Sequence, residues 1–392
     1  MAPSTRWIFA LTLPLLAAGF ALARGKKAAE REAAEVPAPV EPAPAPAPPP
    51  PPAPALFPGA LPIVVDSLPP GLASLSAQTC NGCHWAAHDA WASSAHAHAW
   101  ADPGYQAALQ GAGGSTACLG CHLPVASQHA ELAAGYVGDD LSRPRLQPNP
   151  AFDASLMSEG VTCVACHVRD GKVLGTHAST SSPHPVVVSE ELGKSELCAT
   201  CHQLSWPEAD RPFYDTYGEW KASAYATAGV QCQDCHMAPQ AGAPQPGQVG
   251  VVPAHRSPTT IQRALTTLVT LPGASVTRGQ PLDVGLVLLN TGAGHTVPTG
   301  NPFKSWSVEV VLFDAAGKEL APAQKTVLAR TVEAASPWRT TADDRLPVGG
   351  KREFTARFVP NAKGAPGLGA VVVRAVRGGA VTELRRVPVQ VR

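Results

Sequence analysis

Cys80-Asn81-Gly82-Cys83-His84 is the first of five strings of one form, in which two cysteines stand three positions apart and a histidine follows the second. The others are Cys118, Cys121 and His122; Cys163, Cys166 and His167; Cys198, Cys201 and His202; and Cys232, Cys235 and His236. Together they use all ten cysteines of the chain. The spacing has a chemical reason. Two thiols so placed reach the two vinyl groups of one haem, and the next residue then lies under the iron, where its imidazole is the proximal ligand. Zinc ribbons pair two such knuckles into one four-ligand site, so five is the wrong number and the recurrent histidine has no role. Disulfides suit an exported chain but also leave the histidine unexplained. A thioredoxin-like site needs one motif on a strand-to-helix junction rather than five along an irregular segment. The expectation is five covalently attached haem c groups held by these fifteen residues.

Thirteen histidines less five leaves eight candidates for the opposite axial position: His88, His96, His98, His129, His177, His184, His255 and His295. Methionine is scarce. Beyond Met1 there are only Met157 and Met237, and Met237 directly follows a proximal histidine, so it cannot cross to the other face of the same haem. Most irons should then be bis-histidine or five-coordinate, and bis-histidine ligation favours low potential. Trp91-x-x-Ser94-x-His96-Ala97 recurs as Trp220-x-x-Ser223-x-Tyr225-Ala226, a repeated unit that offers an imidazole in the first copy and Tyr225 in the second. His96 is expected to be a distal ligand. So is His184, stiffened between Pro183 and Pro185. His129 and His177 are balanced between ligand and ordinary loop residue, and His129 is carried forward as a candidate metal ligand.

The remainder of the chain frames this segment. Thirty Lys plus Arg balance thirty Asp plus Glu, which gives no basic field for nucleic acid. Arg6 precedes an apolar run from Trp7 to Ala23 that closes on Ala21-Leu22-Ala23, so residues 1–23 read as a secretory signal peptide. An uncleaved anchor is the alternative, at the short limit of a membrane span. Residues 24–70, rich in proline and alanine, read as an extended, disordered tether. Export implies a periplasmic or outer-surface location, with membrane proximity through the N-terminal segment. Residues 71–258 are expected to form a pentahaem domain of short helices and irregular loops whose core is largely porphyrin. Residues 259–392 alternate apolar and polar over Leu282–Leu289, Ser305–Phe313, Arg352–Phe358, Val371–Val376 and Val381–Val391. They are expected to form an all-β, immunoglobulin-like sandwich. Within it, His295 sits in the glycine-flanked loop Gly292–Gly300 and is expected to cap a haem of the preceding domain.

These motifs resemble those of multihaem c-type cytochromes related to the tetrahaem electron carrier of nitrifying bacteria, in variants with a C-terminal β-domain. The resemblance runs from Cys80 to the end. It rests on Trp91-x-x-Ser94-x-His96-Ala97, Glu159-Gly160-Val161-Thr162-Cys163, Ser195-Glu196-Leu197-Cys198, Gly229-Val230-Gln231-Cys232, His255-Arg256 and Gly294-His295-x-x-Pro298-Thr299-Gly300. It implies electron transfer between redox partners, quinol-linked proteins or other cytochromes, and distal ligation by His96, His255 and His295. The fifth motif exceeds the tetrahaem pattern, and Ser257-Pro258 departs from the bulkier continuation expected after His255-Arg256. An enzyme acting on a small nitrogen or sulfur compound at a five-coordinate haem is the alternative.

Overall fold

The computed structural model describes residues 62–111, 116–137, 140–179, 182–205, 210–243, 249–257, 260–333 and 339–392. All lie in one compact unit. The apolar run at residues 7–23 and most of the proline-rich segment fall outside them. Among the described residues, no helix is long and apolar enough to cross a membrane.

Each cysteine motif forms a helical turn, because positions three apart on a helix share one face. The carriers are helices Ala77–Ala92, Thr116–His122, Val164–His167, Ser195–His202 and Cys232–His236, with Cys163 as the N-cap of the third. Four of these helices end on the motif histidine. The longest continues past it, but its His84 leaves helical geometry at φ −104° and ψ 40°. In every copy, then, the backbone departs from the helix where the imidazole must turn away from it.

Two corrections concern this segment. It is not only helix and loop, because three small sheets punctuate it. Glu131–Val137 pairs with Asp140–Pro148, Lys172–Gly175 lies between Val168–Arg169 and Val186–Val188, and Pro239–Gly242 pairs with Gly250–Pro253. The hairpin at Arg169 turns through Asp170 and Gly171, at φ 50° and 66°. An Asp-Gly pair takes up that geometry readily. Nor does the tether extend to residue 70. Ile63 bridges to Val125, with Ile63 N–H donating to the Pro124 carbonyl and Ala126 N–H to that of Ile63. Ile63 and Val65 pack on the buried residues Val125, Val164, Ala165 and Val168. Beyond the last prolines the chain regains apolar side chains, and these join the fold.

That four-residue cluster is thin beside the core of the C-terminal part. There, Leu282–Asn290 lies between Leu265–Thr270 and Lys351–Phe358 in a three-stranded antiparallel sheet. A five-stranded sheet runs in the order Gln324–Leu328, Trp306–Phe313, Gly367–Arg377, Ala380–Val391 and Ser275–Val276, the last pairing parallel. Alternate residues of both sheets meet in one core: Leu282, Val284, Leu286 and Leu288 from one, Val308, Val310, Leu312, Val371, Val373 and Ala375 from the other. A side chain buried this fully contributes about 1.5–3 kcal/mol, so the two sheets share a substantial core. The strands expected from alternation are found within a few residues of their ends. The short strands Gln324–Leu328, Arg330–Val332 and Thr340–Asp343 gave no comparable pattern.

The repeat visible in the sequence is a repeat of structure. The Trp91 indole N–H donates to the Val161 carbonyl at 2.8 Å, and that of Trp220 donates to the Val230 carbonyl at 2.9 Å. In each copy the acceptor lies two residues before a motif cysteine. Ala97 N–H donates to Ser94 Oγ, and Ala226 N–H to Ser223 Oγ. The helix that begins each copy is tied to the copy's second motif by a side chain from just before it. Glu159 accepts from Ser76 Oγ and Ala77 N–H, and Gln231 Oε1 from Ser195 N–H and Oγ. The first copy thus joins the motifs at Cys80 and Cys163, and the second those at Cys198 and Cys232. Gly160 is required here. Its φ is 57°, and a Cβ would lie 2.6 Å from the His96 carbonyl oxygen, which accepts from Val161 N–H.

Candidate functional site

Four motif histidines each face one histidine from elsewhere in the chain. The ring centroids are 6.2 Å apart for His84 and His184, 6.2 Å for His96 and His202, 6.1 Å for His167 and His255, and 6.1 Å for His236 and His295. Imidazole nitrogens bind a first-row metal such as zinc at about 2.0–2.1 Å, and a ring centre lies roughly 1.1 Å further out. Two imidazoles on opposite sides of one metal ion therefore have centroids about 6.2–6.4 Å apart. All four pairs are close to that value, although their partners lie far apart in sequence.

Hydrogen bonds choose which nitrogen faces the partner. Nδ1 of His167 is bonded to the Leu174 carbonyl at 3.0 Å, Nδ1 of His255 to the Pro253 carbonyl at 2.9 Å, and Nδ1 of His295 to the Thr296 carbonyl at 2.9 Å. Nδ1 of His236 meets Ser257 Oγ at 2.9 Å, which gives a use to the serine that departs from the family pattern. With Nδ1–H spent on the backbone, Nε2 is the basic nitrogen, the usual arrangement behind a metal-bound histidine. Burial also favours the neutral form at six of the eight paired rings. Burial first, and then His96, brings the His202 imidazole down to about 4. Burial lowers His84, His96, His167, His236 and His255 as well. Among the described residues, no cluster of three or more His, Cys, Asp or Glu could itself hold a metal ion. Among the described residues no cysteine is joined to another in a disulfide. The donor set and the thin aliphatic core around it fit a large apolar group that brings its own metal.

Known proteins point the same way. The family model of cytochrome c554 and c-prime matches residues 79–140. The penta-haem cytochrome c552 of Thermochromatium tepidum superposes with a TM-score of 0.55 at 18% identity, covering 82% of this chain and 100% of that one. The chain has the fold of a multihaem c-type cytochrome. The CARDB domain of a Pyrococcus furiosus protein aligns with 33% of this chain and 87% of its own, at 16% identity and a TM-score of 0.21. The comparison with curated proteins returns no match.

Within this multihaem fold the remaining histidines are placed differently. His129 is buried, but its Nε2 is bonded to the Leu123 carbonyl at 2.6 Å, so the nitrogen a metal would need is committed and no other imidazole faces it. This separates His129 from the four paired candidates. His88 directs Nε2 at Gln78 and packs against Trp91. His98 and His177 are exposed. Tyr225 donates to the Thr291 carbonyl of the β-domain at 2.9 Å. The close approach expected of the Gly292 loop is made to protein instead. A Cβ on Gly292 would meet the Arg263 carbonyl, and Gly294 rests on Trp220 and Tyr225.

The motif at Cys118 differs from the other four. His122 Nδ1 is bonded to the Ala99 carbonyl at 2.6 Å, but the ring stacked on it, 3.6 Å away and 6° from parallel, is Tyr105. Tyr105 Oη is buried without a hydrogen-bond partner, and burial raises its pKa. Tyr105 carried no signal in the sequence.

His129 supports a pH prediction. Burial pushes its imidazole below the ordinary 6.5, against the opposing effect of the Leu123 carbonyl. The unfolded state therefore binds more protons as pH falls from 6.5, so this contribution to stability is complete above 6.5 and is lost on acidification. His129→Gln, which can still donate to Leu123, should show a smaller loss of stability between pH 7 and pH 5 in denaturant titrations and unchanged low-spin spectra. An unchanged acid limb would count against the assignment.

Proposed function

We propose that the chain binds five haem c groups, one at each motif, and relays electrons between redox protein partners in the periplasm or at the outer cell surface. The observation that carries this reading is the set of four facing imidazole pairs, each combining a motif histidine with His184, His96, His255 or His295. When bound, haem supplies a one-electron iron couple. The protein supplies what tunes it. Paired imidazoles favour low potential, carbonyl bonds at Nδ1 fix ring orientation, and burial withholds competing protons. Export by the N-terminal apolar segment brings the chain to the compartment where thioether attachment takes place, near the membrane, where quinol-linked proteins or other cytochromes are available partners. We read the β-domain as an immunoglobulin-like sandwich that contributes His295.

The Cys118 motif favours a second reading, that of an oxidoreductase. Among the described residues no second imidazole faces His122, so an exchangeable axial position there would admit a small nitrogen or sulfur compound. One experiment addresses both. Intact mass and pyridine haemochrome should count five haems, with paramagnetic resonance giving bis-histidine low-spin signals from four and different coordination at the fifth. Fewer than five haems would overturn the assignment. Turnover of nitrite or hydroxylamine would favour the enzyme, and its absence the carrier.

A further inference from the structure

Lys304 belongs to the β-domain, nine residues beyond His295, and its neighbour Phe303 packs against Phe213, whose own neighbour Tyr214 forms a β-bridge with Leu204, two residues beyond His202. Lys304 donates to the Thr299 carbonyl at 3.2 Å, and no carboxylate among the described residues pairs with it. It lies close enough to the His96–His202 pair to act on His202 electrostatically. Its other charged neighbour is also a cation, Arg377, stacked over Trp306 at 5.9 Å. Burial lowers the Lys304 pKa further. The side chain is only half-exposed, and removing a cation from water without a counter-charge is costly. A half-buried cation near an imidazole pair, with a second cation and no paired carboxylate beside it among the described residues, leaves a place for an anion. The group attached beside that pair carries two carboxylates of its own.

We propose that Lys304 is the counter-ion of a propionate on the haem held by Cys198, Cys201 and His202, and that it raises the potential of that haem alone. The proposal rests on the haem reading above. It gives the β-domain a second influence on the electron path, exerted on a centre whose axial ligands both come from the other domain. A cation near the iron favours the reduced form, which carries one positive charge fewer.

The test uses holoprotein of the wild type, Lys304→Met and Lys304→Arg in spectroelectrochemical titration, with haem counted by mass. The affected centre is identified as the one whose low-spin signal disappears in His96→Ala. Lys304→Met should lower the midpoint of that centre by about tenfold in its one-electron equilibrium constant, about 59 mV, with the other four unmoved. Lys304→Arg should titrate like the wild type. If Lys304→Met holds five haems and all five midpoints are unchanged, or if Lys304→Arg shifts as far as Lys304→Met, the proposal is overturned. If the wild type lacks a haem at Cys198 and Cys201, the haem reading itself fails, and mass alone reveals that.

Discussion

Replacing His295 with alanine should convert one low-spin ferric centre into a high-spin one without loss of haem. The paired ring, His236, is 6.1 Å away, and thioether attachment at Cys232 and Cys235 does not involve the β-domain. The loop that presents His295 is rigid. Asn290 Nδ2 donates to the His295 carbonyl, Nδ1 of His295 is bonded to the Thr296 carbonyl, and Val297 and Leu346 exchange backbone hydrogen bonds. A loop held this firmly cannot bring in a substitute, so the effect should be the full conversion of one centre among five. His295→Met should restore a low-spin signal and raise the potential of that centre, since methionine ligation stabilises the reduced iron. An unchanged resonance spectrum in His295→Ala would remove His295 from the coordination sphere.

Glu219→Ala should destabilise the protein by about 1–3 kcal/mol, the usual cost of leaving buried hydrogen-bonding groups unsatisfied, because Arg345 keeps a second carboxylate, Asp343, on its Nε and Nη2. Glu219 and Arg345 are 2.8 Å apart, with side chains only 10% and 11% exposed. Glu219 also accepts from Thr296 N–H at 3.2 Å and Thr299 Oγ1 at 2.6 Å, one on either side of Pro298. The carboxylate therefore binds the helix Thr216–Lys221 to the loop that carries His295. The denaturation midpoint should fall, and the His236 centre should exchange its ligand more readily than the other three pairs. The double variant Glu219→Leu with Arg345→Met should recover part of the loss, because both buried charges leave together and Asp343 keeps Arg211. A loss under about 1 kcal/mol, the range of exposed pairs, would show that water reaches the site.

What could be read from the chain follows from how local each signal is. A cysteine motif is complete within five residues, and a half-buried strand shows itself by alternation, so these features and the principal strands of the two C-terminal sheets were legible. Ligand pairing was not. His84 meets His184 and His96 meets His202 across long stretches of chain, and no local pattern records such a meeting. His129 shows the limit from the other side. In the sequence it was balanced between ligand and loop residue, and the Leu123 carbonyl on its Nε2 separates it from the paired histidines. Lys304, Glu219 and Arg345 are ordinary surface residue types until the two parts of the molecule meet. The Asp170-Gly171 turn was a local signal and could have disclosed its hairpin.

The repeated unit carries a further consequence. In its first copy the position after Trp91 and Ser94 is His96, which crosses to His202 of the second copy. In the second copy the same position is Tyr225, which crosses to Thr291 of the β-domain. Each copy thus extends one arm to its successor, and the β-domain stands where a third copy would follow. It plays the part that a terminal repeat plays in a solenoid, closing an array that would otherwise present an unmatched face. Where the first copy has an imidazole, the second has a phenol, and its hydrogen bond ties that copy to the β-domain.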